Sequence, residues 1–352
     1  MSLHMKRLGF CVALVSLLSL ACRKKRDYPT VSTFAGSSNM GSANGYRTEA
    51  RFSNMMGVAV DDLGNVYVAD SRNNLIRKID TEGIVTTVAG SGMAGSVDGK
   101  GDTASFFYPT ALAVDQQGFI YVADTHNNLI RKISPDGFVT TLAGKRVYRT
   151  SPGLDKSELR FDNPDGIAVD KAGNVFVADW ANDLIRKISP DGNVCDIAGN
   201  GDKGAKDGKG SSASFFLPGG IAQDSLGNLY VADTYNNMIR KILPGGLVTT
   251  FAGQTSRGSA NGKGAEASFS HPVGISTDQQ GNLLVADMGN NRIRRITPDG
   301  MVSNFAGSGN RGSANGRDTT ASFYRPYGVA VDKKGNVYVA DYLNNQIRKI
   351  SY

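Results

Sequence analysis

The chain has 352 residues, of which 40% are apolar, and it contains 43 glycines against 11 prolines. This composition is typical of a folded, turn-rich β protein and excludes a disordered or collagen-like chain. The formal net charge is +7, but six of the 39 basic residues lie before residue 27, so the rest of the chain is close to neutral. Nucleic-acid binding through a basic surface is therefore not expected, and the three cysteines provide no disulfide framework.

The N-terminal residues have the pattern of a secretory signal. Lys6 and Arg7 precede an apolar run over residues 8–21 that is too short for a membrane-spanning helix. We therefore predict a signal peptide over residues 1–21 and an exported protein. Residues 1–4 precede a second methionine, Met5, and are interpreted as a cloning scar.

The end of this signal resembles the lipobox of bacterial lipoproteins. Residues 18–22 read Leu-Ser-Leu-Ala-Cys, and four basic residues follow them. The resemblance implies that Cys22 is lipidated and that residues 22–29 form the lipidated cysteine and a basic linker at a membrane of the bacterial cell envelope. Ser19 stands where such boxes usually carry leucine. Simple cleavage and an uncleaved anchor are therefore the alternatives.

An Ala-Gly dipeptide recurs along the rest of the chain at a spacing of 54 or 55 residues. Its glycines are Gly36, Gly90, Gly144, Gly199, Gly253 and Gly307. A period this regular indicates a repeat architecture. Each unit holds four short apolar runs separated by turn residues, such as Gln-Gln-Gly at 116–118 and Pro-Asp-Gly at 135–137. Each repeat is therefore predicted to be a four-stranded antiparallel meander.

The apolar runs indicate how the repeats pack. Consecutive side chains are apolar in residues 120–123, so both faces of each sheet must be covered, and neighbouring repeats can cover them. Six four-stranded sheets packed face to face predict an all-β, six-bladed propeller over residues 30–352. The last repeat ends before its fourth strand, whereas residues 30–36 resemble a fourth strand with no preceding three. This N-terminal strand is therefore predicted to complete the last blade.

The segment over residues 57–79, GVAVDDLGNVYVADSRNNLIRKI, and its five counterparts resemble NHL repeats. The resemblance extends over residues 30–352 and implies a six-bladed propeller of the bacterial exported or lipoprotein type. Propellers of this family include RNA-binding proteins, peptide-amide lyases, extracellular sensors and scaffolds. Function must therefore be argued from the site, because the fold does not choose among them.

Positions that all six repeats share are interpreted as structural. An aspartate ends each second run and an arginine lies in each third run, so the two fall close together across a hairpin and predict a repeated ion pair. The aspartates are Asp70, Asp124, Asp179, Asp233, Asp287 and Asp341, and the arginines are Arg77, Arg131, Arg186, Arg240, Arg294 and Arg348.

The connection between repeats carries Asn-Gly or Asp-Gly in five of six copies and then a phenylalanine. Oxygen ligands in such glycine-rich loops could hold calcium. We favour a turn with an anchoring aromatic side chain. No cofactor is therefore expected, and calcium is the alternative.

Positions that differ between repeats are the candidates for function. The loops after the second strands and the loops between blades open on the same face of a propeller, which we call the loop face. The residues that gather there are Met56, Ser71, Arg72, Thr110, Thr125, His126, Asp165, Trp180, Ala181, Gly219, Thr234, Tyr235, Val273, Met288, Gly289, Tyr327, Tyr342 and Leu343. This aromatic and apolar ring suits recognition of a protein, peptide or glycan. The alternative is that the aromatics only plug the channel mouth.

The third repeat departs most from the others. It carries the single tryptophan, Trp180, and Asp183 replaces an asparagine there. The candidate binding residues are therefore His126, Tyr148, Arg149, Asp165, Trp180, Asp183, Tyr235, Tyr327 and Tyr342.

The family resemblance also implies two enzymatic alternatives. Peptide-amidating lyases hold zinc with several histidines, but only His126 and His271 remain after the signal. Lactonase-type propellers hold calcium with acidic and amide side chains, for which Asp165 and Asp183 are the candidates here. We therefore expect a monomeric, membrane-anchored binding or scaffolding module. A metal-dependent hydrolase, lactonase or lyase is the alternative.

Overall fold

The computed structural model describes residues 28–145 and 160–352, and these ranges contain β-strands and short 3-10 helices but no α-helix. The strands form six antiparallel sheets, and the innermost strands of successive sheets contact one another in a closed ring. The all-β, six-bladed propeller predicted from the repeats is confirmed. No helix in the described ranges is long and apolar enough to cross a membrane. The predicted signal peptide and Cys22 lie outside these ranges.

The strands are numbered in chain order from the N-terminus. They are β1 (Thr30–Gly36), β2 (Gly45–Tyr46), β3 (Val58–Val60), β4 (Val66–Asp70), β5 (Leu75–Ile79), β6 (Ile84–Ala89), β7 (Gly99–Lys100), β8 (Ala111–Val114), β9 (Ile120–Asp124), β10 (Leu129–Ile133), β11 (Phe138–Gly144), β12 (Pro164–Val169), β13 (Val175–Asp179), β14 (Leu184–Ile188), β15 (Val194–Ala198), β16 (Gly208–Lys209), β17 (Ile221–Gln223), β18 (Leu229–Asp233), β19 (Met238–Ile242), β20 (Leu247–Gly253), β21 (Gly262–Lys263), β22 (Pro272–Thr277), β23 (Leu283–Asp287), β24 (Arg292–Ile296), β25 (Met301–Ala306), β26 (Gly316–Arg317), β27 (Pro326–Val331), β28 (Val337–Asp341) and β29 (Gln346–Ser351).

Short 3-10 helices follow two classes of strand. One group of these helices follows the second strand of each blade, at the loop face. Its members are Ser71–Asn73, Thr125–Asn127, Trp180–Asn182, Thr234–Asn236, Met288–Asn290 and Tyr342–Asn344. The other class follows the two-residue strands: Arg47–Glu49, Gly101–Thr103, Gly210–Ser212, Gly264–Glu266 and Asp318–Thr320.

The N-terminal strand closes the ring as predicted. Strand β1 pairs antiparallel with β29, with Val31 opposite Ile350, and thus supplies the fourth strand of the sixth blade. Val31 and Ala35 are fully buried there. The first and last segments of the propeller are therefore held in one sheet.

Five of the six blades contain one strand more than the four that were predicted. Five of the six sheets contain a fifth strand of two residues, such as β2 against β6, while the third blade has four strands within the described residues. These added strands coincide with the Asn-Gly and Asp-Gly turns of the connections between repeats. A two-residue strand is too short to produce an alternating sequence pattern, so sequence periodicity did not indicate it.

The hydrophobic core lies between the blades. Ile120 and Val122 of β9 pack with residues of the first blade, whereas Tyr121 and Ala123 of the same strand pack with residues of the third. Both faces of a blade are therefore covered, as its uninterrupted apolar runs predicted.

The innermost strands meet so closely that they need small residues. At the equivalent position near the start of the innermost strand, the second blade has Ala111 and the other five have a glycine, namely Gly57, Gly166, Gly220, Gly274 and Gly328. A Cβ atom on Gly274, for example, would overlap the backbone carbonyl oxygen of Tyr327 in the next blade. The residues that line the channel inside these strands are mostly glycine, alanine, valine and isoleucine.

Candidate ligand-binding site

The loop face is organised by the predicted ion pairs, and all six are present. The Asp Oδ2 to Arg Nη1 distances lie between 2.8 and 3.2 Å, and the side chains are at most 6% exposed. The other carboxylate oxygen accepts a hydrogen bond from the backbone N–H that follows the anchoring phenylalanine, as in Asp233 Oδ1 with Phe216 N at 2.9 Å. Each pair therefore ties the end of a second strand to a loop between blades.

The amide and carboxylate oxygens of the Asn-Gly and Asp-Gly turns complete these pairs. Asn44, Asp98, Asp207, Asn261 and Asn315 each accept a hydrogen bond from Nη2 of the buried arginine of their blade. In the third blade Arg186 instead pairs through Nε with Asp196 Oδ1 at 2.9 Å. These contacts support the structural interpretation of the turns. In residues 28–145 and 160–352 no group of three or more His, Cys, Asp or Glu side chains could hold a metal ion.

Asp183 has a structural partner and does not lie with Asp165 at the cavity described below. Five blades have an asparagine at its position, and the side-chain oxygen accepts a hydrogen bond from a backbone N–H of the next blade, as in Asn237 Oδ1 with His271 N at 3.0 Å. Asp183 Oδ1 makes the same contact with Leu217 N at 2.6 Å. Its side chain is 3% exposed. The structure therefore gives Asp183 the same role as the asparagines of the other blades.

A cavity of about 350 Å³ opens on the loop face above the second and third blades. Its walls bring together His126, Asp165, Trp180 and Tyr327, four of the predicted site residues. The remaining wall residues are Met56, Tyr108, Thr110, Thr125, Asn163, Ala181 and Leu217. Of the other predicted residues, Tyr148 and Arg149 lie outside the described residues.

Asp165 and Tyr327 meet across the axis of the ring. They belong to the third and sixth blades, which face each other, and Tyr327 Oη donates a hydrogen bond to Asp165 Oδ2 at 2.7 Å. A second cavity of about 330 Å³, the axial channel, lies beside the first. Met56, Thr110, Asp165 and Tyr327 line both cavities. The Tyr327 side chain thus reaches across the channel mouth. This one residue therefore agrees with the alternative prediction that aromatic side chains plug the mouth of the channel.

The Asp165 side chain is buried, but one of its two carboxylate oxygens lacks a hydrogen-bond partner within the part of the chain that the structure describes. Its residue is 5% exposed, and its Oδ1 atom has no hydrogen-bond partner among the described residues. Burial raises the pKa of Asp165, and the side-chain hydroxyls of Tyr327 and Thr110 oppose this increase only in part. Burial also raises the pKa of Tyr327 well above its ordinary value, so this hydroxyl remains a hydrogen-bond donor at neutral pH.

Aromatic rings surround the rest of the opening. The rings of Tyr108 and His126 stack at a centroid distance of 4.7 Å, and Phe107 meets His126 edge-on at 4.9 Å. Burial lowers the pKa of His126, so its imidazole is neutral at pH 7. Trp180 packs edge-on against Tyr235 at 5.8 Å, which places Tyr235 beside the cavity.

Two further aromatic contacts extend this surface. Tyr235 also contacts Phe216 and His271, with centroid distances of 5.2 and 5.3 Å. Tyr342 lies 6.2 Å from Tyr327, measured between ring centroids.

Sequence reasoning missed Tyr108. This residue stands three positions before β8, the innermost strand of its blade, and has a positive φ of 54°, and the corresponding residue of every other blade also has a positive φ. The bend directs the chain toward the loop face. A comparison of the six repeats at this position, where one tyrosine stands among asparagine, leucine, histidine and arginine, could have indicated it.

Two family models match the chain. The NHL repeat model matches residues 57–79, 217–242, 269–296 and 323–350. A model described as SMP-30/Gluconolactonase/LRE-like region matches residues 105–199.

Curated relatives share the repeat region. The chain is 29% identical over 313 residues to Protein SUPPRESSOR OF QUENCHING 1, chloroplastic, of Arabidopsis thaliana, and the match covers 83% of this chain and 30% of that protein. It is 29% identical over 330 residues to NHL repeat-containing protein 2 of Bos taurus, where the match covers 83% and 45%. The chain therefore spans less than half the length of these relatives.

Solved structures share the fold. A protein of unknown function from Bacteroides thetaiotaomicron has a TM-score of 0.71 at 22% identity and covers 92% of this chain and 76% of its own. An auxiliary nutrient binding protein from Bacteroides ovatus has a TM-score of 0.69 at 18% identity, with coverages of 92% and 77%. Virginiamycin B lyase from Staphylococcus aureus has a TM-score of 0.54 at 17% identity, with coverages of 92% and 99%. The chain thus contains NHL repeats, is homologous to NHL repeat-containing proteins and shares the β-propeller fold of these solved structures.

Proposed function

We propose that this protein is an exported binding module that takes a peptide or glycan ligand in the loop-face cavity beside Trp180. One observation carries the proposal: aromatic rings surround a cavity of about 350 Å³ whose wall holds a buried carboxylate with an unpaired oxygen. Binding sites for small ligands are commonly apolar and aromatic cavities with a few polar groups that fix the orientation of the ligand.

The aromatic residues have the properties of binding anchors. Trp180 and Tyr327 are partly exposed, and Tyr235 is 43% exposed. Their neighbours hold them in place, since Tyr327 is bonded to Asp165 and Trp180 packs on Tyr235. Rigid, amphipathic rings of this kind offer a large contact area at a low entropic cost, both to sugar rings and to peptide side chains.

The similarity to a nutrient-binding protein of Bacteroides ovatus is consistent with a binding role, but at 18% identity it concerns the fold alone. The proposed binding function is therefore supported by the cavity and not by this similarity.

Anchoring at the cell envelope is part of the same proposal. It is supported by the apolar run over residues 8–21 and by Cys22 with its basic neighbours. Mass spectrometry of the protein isolated from membranes tests it, because a diacylglyceryl group on Cys22 is expected and an unmodified mature N-terminus would contradict anchoring.

A metal-dependent hydrolase, lactonase or lyase is the second candidate function. It is favoured by the gluconolactonase-like model match over residues 105–199, which include Asp165 and Trp180. Against it, the described residues offer no group of three or more His, Cys, Asp or Glu side chains that could hold a metal ion. The aromatic side chains in the cavity wall are the reason that we place ligand binding first.

A thermal-shift screen of the purified protein against glycans and peptides, with calcium or with a chelator, distinguishes the two candidates. We expect the melting temperature to rise with a metal-independent ligand, since a ligand at 100 times its Kd stabilises the folded state by about 2.7 kcal/mol. Trp180→Ala should remove an anchor and weaken binding by about 2 kcal/mol.

The matched control is Tyr46→Ala, which removes a half-exposed aromatic side chain from β2 at the outer edge of a blade. This variant should bind as the unchanged protein does. Equal binding by Trp180→Ala would contradict the proposed site. A rise that requires calcium and disappears in Asp165→Asn would instead favour the hydrolase.

A further inference from the structure

We propose that the loop-face cavity recognises a cationic amine, and that Asp165 binds its ammonium group through the unpaired carboxylate oxygen. The inference rests on the proposed ligand-binding function and adds the chemical group that the ligand must carry. It follows from the hydrogen-bonding of Asp165, from the charges around the cavity and from the aromatic rings that line it.

The hydrogen bonds around Asp165 leave one acceptor free. Oδ2 accepts from Tyr327, while Oδ1 has no partner among the described residues. The nearest hydroxyl, that of Thr110, is shared among several acceptors: it lies 2.6 Å from Thr125 Oγ1 and 3.3 Å from the backbone oxygen of Asp165, and it also lowers the pKa of the Asp165 carboxyl. A buried acceptor without a partner is unfavourable, and a ligand donor placed there would satisfy it.

The charges around the cavity favour a cation over a neutral or anionic group. In the part of the chain that the structure describes, no lysine or arginine lines the cavity. His126 does line it, but burial lowers the pKa of its imidazole. Arg72 is exposed at the rim, where its Nη1 lies 3.7 Å from Met40 Sδ. An ionised Asp165 is therefore not neutralised by the protein, and a buried charge needs a partner of opposite sign.

The walls of the cavity suit an ammonium group as well. The side chains of Tyr108, Trp180 and Tyr327 line the same cavity as Asp165. The faces of aromatic rings attract cations, and cages of such rings around an amine are a recurrent mode of recognition. A carboxylate surrounded by three aromatic rings therefore provides both a hydrogen-bond acceptor and cation–π contacts.

The volume of the cavity limits the size of the bound group, but it does not decide whether an amino sugar or a peptide supplies that group. A cavity of about 350 Å³ holds one amino sugar or the first residue of a peptide. Both carry an ammonium group at neutral pH, and acetylation removes its charge while leaving the rest of the ligand unchanged. Paired free and acetylated probes therefore isolate the amine.

The test is isothermal titration calorimetry of the purified protein with two matched pairs: glucosamine and N-acetylglucosamine, and trialanine amide and its N-acetylated form. We expect the free amine of at least one pair to bind about tenfold or more tightly than its acetylated partner, because a charge-assisted hydrogen bond is lost on acetylation. The pair that discriminates identifies an amino sugar or a peptide N-terminus as the source.

Asp165→Asn should bring the affinity for the free amine down to that for the acetylated probe. Asp62→Asn is the matched control, because it removes the same charge from an exposed carboxylate that pairs with Lys333 outside the cavity. This control should keep the discrimination.

Proton linkage provides a second readout. The titratable groups near Asp165 are Tyr327, which is bonded to it, and Tyr108, Tyr342 and His126 around the cavity. Because burial raises the pKa of Asp165, the carboxyl holds a proton to a higher pH than a free aspartate does, and amine binding must release that proton where it is present. Titrations over a range of pH in buffers of different ionisation enthalpy should detect proton release that decreases as the pH rises and is absent in Asp165→Asn.

The fold of the Asn variant can be checked in the same samples. A raised carboxyl pKa destabilises the folded state as pH rises through that pKa, so Asp165→Asn should melt at a higher temperature than the unchanged protein at pH 7. Equal binding of free and acetylated probes would overturn the amine inference while leaving the binding function intact. Binding of neither member of either pair would also overturn it, and the proposed function would then depend on the wider screen alone.

Discussion

Replacing Arg240 with methionine should lower the free energy of unfolding by about 3–5 kcal/mol. The arginine is fully buried and donates through Nη1 to Asp233 Oδ2 at 2.8 Å and through Nη2 to Asp207 Oδ1 at 2.7 Å. Methionine fills much of the same volume but leaves Asp233 buried without its cation. Urea unfolding followed by far-ultraviolet circular dichroism measures the difference.

The pH dependence of this loss identifies its cause. Burial raises the pKa of Asp233 to about 6, and Arg240 is the largest influence that opposes the increase. Without Arg240 the pKa should rise further, so the carboxyl takes up a proton in the folded state at mildly acidic pH. The deficit should therefore be smaller at pH 5 than at pH 8.

Lys241→Met is the matched control, because Lys241 is the next residue of the same strand and carries a positive charge over the ring of Tyr230. It should change stability by less than about 1 kcal/mol. The double variant Asp233→Leu with Arg240→Met should recover part of the loss, since it removes both buried charges. Equal losses of stability in Lys241→Met and Arg240→Met would show that the broken ion pair does not cause the destabilisation.

The same pair supports the candidate site. Asp233 Oδ1 holds Phe216 N, and the Phe216 ring packs against Tyr235, which in turn contacts Trp180. Loss of the pair should therefore loosen the aromatic surface before the blade unfolds. The repeated ion pairs thus connect the stability of each blade to the order of the loops above it.

Val31→Asp should destabilise the closed ring by about 3–5 kcal/mol, since it places an unpaired charge in the core. Val31 is fully buried in β1 opposite Ile350, among apolar residues of the fifth and sixth blades. The expected observation is a lower melting temperature in a calorimetric scan, and one cooperative transition should remain because the blades share their cores.

Ser32→Asp provides the control for this position. Ser32 is the next residue of β1, is exposed and lies opposite Lys349. An aspartate there should be neutral or slightly stabilising, because opposite charges face each other across the strands. If the two variants unfolded alike, closure by the N-terminal strand would not contribute to stability.

The repeated sequence was sufficient to predict the architecture. The blade number, the strand order, closure by residues 30–36 and the ion pairs all follow from features that recur six times in phase, so that local pattern and global fold agree. The two-residue strands could not be predicted in this way, since two residues carry no periodicity. They exist because the outer edge of a formed blade offers unpaired backbone groups.

The site was predicted in part, because the sequence identified unusual side chains but not their partners. Asp165 and Asp183 looked alike as acidic residues of the third repeat. The structure separates them, since the left-handed conformation of Asp183, with φ of 55°, turns its carboxylate toward Leu217 of the next blade.

The contact between Asp165 and Tyr327 could be decided only by the tertiary structure. The two residues are 162 positions apart, and no local pattern relates them. They meet because closure of a six-bladed ring brings its third and sixth blades face to face across the axis. The sequence alone thus determined the number of blades and their main strands, whereas the closed ring determined which variable side chains share a cavity and which carboxylate oxygen is buried without a hydrogen-bond partner among the described residues.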